Sequence, residues 1–186
     1  MDISVVIVTY NCEAFIKRCI DSLLVSGPHL DLEIIAVDNA SQDKTVKLLR
    51  TDFPNIKVIQ NTKNLGFTKA NNQGIKEAKG RYIFILNSDT ELFGGSLEEM
   101  TRFLDRNPSC GILGLKLLDK DGKIQLSCRD FPSYDTAFFN RYSLLTRIFP
   151  RGKYADRYLK TNWPHDTIQE VGWVSGAAMV ISKECL

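Results

Sequence analysis

Ile3-Ser4-Val5-Val6-Ile7-Val8-Thr9-Tyr10-Asn11 sets the reading of the whole chain. Ile3 to Val8 is nearly continuous in apolar, mostly β-branched residues, as a strand buried on both faces requires. Thr9-Tyr10-Asn11 then turns polar and ends it. The same grammar recurs at Glu33 to Val37, closed by Asp38-Asn39, at Ile56 to Gln60, and at Arg81 to Leu86, closed by Asn87-Ser88-Asp89. Helical stretches lie between these runs. Glu13 to Val25 puts Phe15, Cys19, Ser22 and Leu23 on one face, with Ile16, Ile20 and Leu24 beside it, and Gly27-Pro28 stops it. Ser41 reads as the N-cap of a helix over about Asp43 to Asp52. The turn Asn64-Leu65-Gly66-Phe67 leads into a helix through Ala70, Ile75 and Ala78 that Gly80 is read as ending.

Strands alternating with helices predict an α/β fold, a mostly parallel sheet flanked by helices. Right-handed crossovers carry the polar strand ends to one edge. Ligands of open α/β sheets sit outside the carboxyl ends of the strands. The fold itself therefore gathers Thr9-Tyr10-Asn11, Asp38-Asn39 and Asn87-Ser88-Asp89.

The style changes after Asp89. Ser96 to Asn107 reads as an amphipathic helix and Cys110 to Gly114 as a short strand. Leu115 to Cys128 reads as a hairpin with Asp121-Gly122 at its turn. Tyr134 to Ile148 reads as a helix, and Glu170 to Ile181 as a last strand interrupted by Ser175-Gly176. Residues 1–114 thus form an α/β half and residues 115–186 a partial α+β region, together one domain.

Composition narrows the function classes. The chain has 186 residues, 24 Lys+Arg against 22 Asp+Glu, and 44% hydrophobic residues. An ordinary apolar fraction with a net charge of +2 excludes disorder and argues against a dedicated nucleic-acid binder. Met1 to Val8 opens on a strand with Asp2 rather than a basic leader, and no apolar run reaches the ~18 residues of a bilayer span, so the expected location is cytoplasmic. Five cysteines without a C-x-x-C spacing read as reduced, mostly buried thiols. His29 and His165 read as surface or loop residues, which leaves no Ser-His-Asp triad and no multi-histidine zinc site. Neither G-x-G-x-x-G nor G-x-x-x-x-G-K-[ST] occurs.

What remains is acid and amide chemistry at strand ends. Asp38 can accept from a base N–H or a ribose hydroxyl, or it can close an Asx-type turn. Asn87-Ser88-Asp89 offers hard oxygen ligands suited to Mg²⁺ or Mn²⁺ shared with a diphosphate, or a capping turn. Asn64-Leu65-Gly66 sets an amide and a glycine before a helix N-terminus, which favours anions, or makes a tight turn.

The ordered set V-I-V-T-Y-N at Val6 to Asn11, V-D-N-A-S at Val37 to Ser41, N-L-G-F at Asn64 to Phe67, A-N-N-Q-G-I at Ala70 to Ile75 and L-N-S-D-T at Leu86 to Thr90 resembles the family 2 glycosyltransferases of GT-A fold. The likeness continues through Leu118 to Gly122, Ser127 to Ser133 and Trp173 to Ala177, and the nearest subgroup is rhamnosyltransferase-like. The resemblance implies transfer of a sugar, rhamnose in that subgroup, from a UDP- or dTDP-linked donor, with inversion, to a saccharide or lipid-linked saccharide in bacterial cell-surface polysaccharide synthesis. It implies that Thr9, Tyr10 and Asn11 lie under the nucleotide and that Asp38, with Asn39 beside it, meets the base or ribose. Asn64, Gly66 and Asn71 would line the nucleotide pocket. Asn87-Ser88-Asp89 occupies the D-x-D position, so Asp89 alone is the metal-binding carboxylate and acts in catalysis through that metal. The family's general base follows the W-V-S-G-A strand, and by the resemblance it falls beyond Leu186 in a longer enzyme.

Two other classes bear comparison. A sugar nucleotidyltransferase needs a glycine-rich basic loop after the first strand, which Thr9-Tyr10-Asn11-Cys12-Glu13 lacks. A nucleotide-sugar-binding module without turnover needs only the donor residues. The basic stretch Phe138 to Lys160, with Arg141, Arg147, Arg151, Lys153 and Arg157 among aromatic and aliphatic residues, reads either as a core-packing helix with a solvated face or as a segment lying on the inner face of an anionic membrane.

Overall fold

In the computed structural model the described residues are 1–131, 160 and 163–186. The expected helix over Tyr134 to Ile148 and nearly all of the basic stretch lie outside them.

The chain groups into two compact units, Met1–Leu113 with Gly176–Leu186, and Gly114–Ser175. The first is built on a six-stranded sheet in the order β3-β2-β1-β4-β10-β5. Its strands are β1 (Ile3–Thr9), β2 (Leu32–Asp38), β3 (Lys57–Gln60), β4 (Tyr82–Asn87), β5 (Ile112–Gly114) and β10 (Ala178–Ser182). β1 pairs in parallel with β2 and β4, and β2 with β3, while β10 runs antiparallel to β4. The register sets Thr9 opposite Asp38 and Val8 opposite Asn87, so three polar strand ends finish at one level.

Pleat alternation sorts the core. Val6, Ile35, Val37 and Ile83 form one buried cluster with Ala70 of α3 (Phe67–Glu77) and with Ala78 just after it. Helix α3 lies close to the sheet because Gly74 has no side chain: a Cβ there would sit 2.4 Å from Val6 Cγ1. On α1 (Ile16–Ser26), Ile16, Cys19, Ile20 and Leu23 are buried at i, i+3, i+4 and i+7 spacing. On α4 (Ser96–Arg106), Leu97, Met100, Thr101 and Leu104 are buried, with Glu98 and Glu99 in the first turn and Arg106 in the last, in line with the helix dipole. The fourth helix is α2 (Thr45–Asp52).

Several local expectations give way. Phe15 and Leu24 are half exposed, because α1 begins at Ile16 and its apolar stripe is the narrower one through Ile20. Ser41 caps no helix: its Oγ accepts from the Asn11 N–H at 2.9 Å, and Asp43 Oδ1 takes the Thr45 N–H instead. Gly80 does not end α3, which stops at Glu77; Gly80 lets the chain pass β1, where a Cβ would meet Ser4 N at 2.5 Å.

The last expected strand is split between the two units. β10 enters the main sheet, whereas β9 (Trp173–Val174) pairs antiparallel with β8 (Cys128–Arg129) in the second unit. Residues 115–186 therefore do not stay in one region: Ala178, Val180 and Ile181 are buried beside β4, which offers them an unpaired edge. In the second unit β6 (Leu117–Leu118) pairs with β7 (Ile124–Gln125). Their turn is a longer loop than Asp121-Gly122 alone, held by Asp119 Oδ1 accepting from the N–H groups of Asp121 and Lys123. His165 is in a loop but is buried, stacked on Trp163 at 4.0 Å between ring centroids. Cys12, Cys19 and Cys128 are buried, Cys110 is half-buried and Cys185 is exposed. No helix among the described residues is long and apolar enough to cross a membrane.

Candidate functional site

At the carboxyl edge of β1, β2 and β4 lies a cleft of about 410 Å³. Of the residues expected to carry function it is lined by Tyr10, Asn11, Asn39, Asn64, Asn87, Ser88 and Asp89. Val8, Cys12, Phe15 and Phe67 complete it. Tyr10, Phe15 and Phe67 leave about half of their surface open, offering aromatic faces around a floor of amides.

The loops after β1 and β2 hold each other. Asn11 N donates to Ser41 Oγ, Gln42 N to Asn11 Oδ1 at 2.8 Å, Cys12 N to Thr45 Oγ1 at 3.0 Å, Glu13 N to Asp43 Oδ2 at 3.0 Å, and Lys44 N to Glu13 Oε2 at 2.7 Å. This reciprocal stitching carries two non-glycine residues in the left-handed region, Asn11 (φ 50) and Ala40 (φ 69). Burial works against the charge of Asp43, but hydrogen bonds from Thr45 and the Glu13 N–H outweigh it and hold this carboxyl below its ordinary range.

Thr9 and Asp38 do not line the cleft. Both are fully buried; Asp38 accepts from Thr9 Oγ1 at 3.1 Å and from the Ser41 N–H at 3.0 Å. The local turn occupies one carboxylate oxygen and the Thr9 hydroxyl of the neighbouring strand the other. Asn71 is also buried, with Nδ2 donating to Phe67 O, and Gly66 (φ 82) turns the chain into α3 beside the lining residue Phe67. Sequence reasoning missed Asn61 and Gln73, which exchange amide hydrogen bonds at 2.8 and 3.0 Å behind Asn39. Both are polar residues on the elements flanking the Asn64 turn, but only the fold brings them together.

The Asn87–Asp89 turn is fastened from two sides. Asn87 N donates to Ala177 O at 2.9 Å, and Asn87 O accepts from Thr90 N and Cys19 Sγ. Burial pushes the Cys19 thiol up to about 12, reinforced by the charges of Cys12, Asp89 and Glu91. Burial also raises Cys12, against hydrogen bonds from Ser88 and Thr45. Both thiols stay protonated near neutral pH, which removes them as nucleophiles. Asp89 is the one carboxylate among the described lining residues, and it is exposed. No group of three or more His, Cys, Asp or Glu is placed to hold a metal ion among the described residues.

The amide-rich cleft where the carboxyl-end turns of this mostly parallel sheet meet is the place where open α/β folds take their ligands. Residues 4–168 match the Glycosyl transferase family 2, and the chain belongs to that family. It is 39% identical over 119 residues, 61% of this chain, to the poly(ribitol-phosphate) beta-glucosyltransferase of Bacillus spizizenii. It is 25% identical over 190 residues, 96% of this chain, to the N-acetylglucosaminyl-diphospho-decaprenol L-rhamnosyltransferase of Mycobacterium tuberculosis. The chain spans 19% and 61% of the lengths of these two relatives. Among solved structures, Staphylococcus aureus TarS 1-349 in complex with UDP superposes with a TM-score of 0.60 at 28% identity, covering 66% of this chain and 37% of that one. The fold is GT-A.

Proposed function

We propose that the cleft binds the nucleotide diphosphate of a sugar donor and that the chain supplies the donor side of an inverting glycosyltransferase for bacterial cell-surface polysaccharide. One observation carries this reading: turns from β1, β2 and β4 and the Asn64 turn converge on a single cleft whose described lining holds one carboxylate, Asp89. The partly exposed faces of Tyr10 and Phe67 suit stacking of a base, and the amides of Asn11, Asn39 and Asn64 suit its polar edge and the ribose. Thr9 and Asp38 act from below by holding the β2 turn, and Asn71 by holding the start of α3.

Asp89, Ser88 and Asn87 offer hard oxygens, the donor chemistry that Mg²⁺ or Mn²⁺ takes, with a diphosphate completing the set. A cation bound there supplies Lewis-acid stabilisation of the charge that grows on the leaving diphosphate. Residues of the chain do the rest: the stitched loops keep Asn11 and Asn39 in place before the donor arrives, so little ordering is required on binding. Asp89 faces the diphosphate in this reading, so the base that deprotonates the acceptor hydroxyl comes from outside the lining of this cleft. The UDP complex of TarS and the rhamnosyl transfer named for the mycobacterial relative support a UDP- or dTDP-linked donor, with rhamnose as one candidate sugar and a lipid-linked saccharide or polyol phosphate as acceptor.

Thermal unfolding tests the reading. UDP or dTDP with Mn²⁺ raises the melting temperature of residues 1–186, because a ligand that binds only the folded state stabilises it by mass action. Melting unchanged by every nucleoside diphosphate overturns the assignment.

A further inference from the structure

Four side-chain amides stand in a row from the back of the cleft to its lip: Gln73, Asn61, Asn39 and Asn64. Gln73 is on α3, Asn61 follows β3, Asn39 follows β2, and Asn64 precedes Gly66. An amide reads its surroundings in opposite senses according to which end carries the N–H groups, so the polarity of the row matters to any ligand.

Two backbone groups settle that polarity. The Leu65 N–H points at one terminal atom of Asn39 at 3.0 Å, which must therefore be the oxygen. The Gly66 N–H points at one terminal atom of Asn64 at 2.9 Å, which again must be the oxygen. Backbone N–H groups cannot reverse, so the rest follows. Asn39 Nδ2 donates to Asn64 Oδ1 at 3.1 Å. Asn61 turns Nδ2 toward Asn39 Oδ1 at 3.3 Å and toward Gln73 Oε1 at 2.8 Å, using both of its protons. Asn61 Oδ1 then needs a donor, and Gln73 Nε2 supplies it at 3.0 Å. Asn61 is anchored besides, its own N–H donating to Asp38 O at 2.8 Å. The consequence lies at the open end: Asn64 Oδ1 is occupied twice, and its Nδ2 protons are what it offers the cleft.

On the donor-cleft reading, we infer that Asn61 and Gln73 are positioning residues: held by its exchange with Gln73, Asn61 gives Asn39 Oδ1 a second donor and so braces from behind the Asn39–Asn64 pair whose polarity the Leu65 and Gly66 N–H groups set, keeping the Asn64 Nδ2 protons toward an acceptor oxygen of the nucleotide. Neither lines the cleft. They act by holding the Asn39 amide, and through it Asn64, in place behind the ligand. A nucleotide seated against Asn64 is then held through an oxygen, as in a pyrimidine-dione carbonyl or a ribose oxygen.

Gln73→Glu tests this while preserving shape. At pH 8 the carboxylate can accept from Asn61 Nδ2 but cannot donate to Asn61 Oδ1, so two oxygens face each other and Asn61 is pushed away from its place behind Asn39. Protonation restores the donor, since a carboxyl of ordinary pKa near ~4.3 is raised when its neighbour is an acceptor. UDP affinity, measured by calorimetry on residues 1–186 with wild type at each pH as reference, is expected to fall about tenfold at pH 8 and to recover toward wild type at pH 5. Gln73→Met, equal in length and without polarity, is expected to lose a similar factor at both pH values. Thermal melting of each variant without ligand confirms that it is folded. A wild type that binds no UDP overturns the donor-cleft reading and this inference with it. A wild type that binds, with Gln73→Glu binding equally well at pH 8 or equally poorly at both pH values, overturns the positioning role alone.

Discussion

The two edges of the main sheet are built from different chemistry. At the carboxyl edge the cleft is a surface of neutral amides and aromatic rings with one acid. At the amino edge there is a larger cleft, about 520 Å³, lined by Met1, Lys79, Arg81, Tyr82, Lys183 and Glu184 among others. Three of its charges are engaged inside the protein: Arg81 pairs with Asp105 and Asp2, the Met1 ammonium with Asp31, and Lys183 Nζ donates to Ala78 O. Lys57 and Glu77 form a further pair between the start of β3 and the end of α3. Size therefore does not mark the binding site. A cleft is prepared for a ligand when its polar groups are fixed by partners behind them and still have capacity in front, as Asn39 and Asn64 do.

The strongest break of that contrast is Asp89→Ala. The Mn²⁺-dependent part of the UDP-induced shift in melting temperature is expected to vanish, while Glu184→Ala at the other edge leaves it intact. A retained metal effect in Asp89→Ala would place the cation elsewhere. Gly74→Ala comes next. The new methyl meets Val6 at the interface of α3 with the sheet, and overpacking of this kind costs about 1–3 kcal/mol, read from urea unfolding. Because α3 carries Phe67 and Gln73, UDP affinity is expected to fall with it. Arg81→Met should be milder: its pairs are half exposed, so the loss is below about 1 kcal/mol, with UDP binding unchanged.

The smallest effect sharpens the contrast through pH. Hydrogen bonding and charge from Lys57 hold Glu77 below its ordinary 4.5, so its contribution is complete above that value and is lost as pH falls through the folded pKa. Hydrogen bonding and charge from Asp31 raise the Met1 ammonium above 8.0, so its contribution is complete below that value and is lost as pH climbs through the folded pKa. Unfolding midpoints across this range should decline at both limbs, and Lys57→Met should remove the Glu77 part of the acid limb. The amides of the carboxyl edge do not titrate, and Asn39→Ala should leave both limbs unchanged.

Much of this was legible in the chain. Runs such as Ile3 to Val8 and Ile83 to Leu86 can only be buried strands, and their alternation with helices forces a parallel sheet whose polar ends share an edge. Hence the meeting of Tyr10, Asn11, Asn39, Asn87 and Asp89 was readable from order alone, since chain connectivity and crossover handedness are local constraints. Which acid lines the cleft was not readable. Asp38 and Asp89 both follow apolar strands. The register of β1 against β2 brings Thr9 to Asp38 and folds Ser41 back over it, whereas among the described residues Asp89 stays exposed at the cleft. Likewise Ser41 looks like a helix cap until Asn11 claims it, and β10 looks like a distal strand until β4 offers it an edge. Side-chain chemistry and periodicity are properties of neighbours in sequence, so the elements could be inferred from them. Burial and hydrogen-bond partnership are properties of neighbours in space, so the role of each polar residue was decided only when the strands came together.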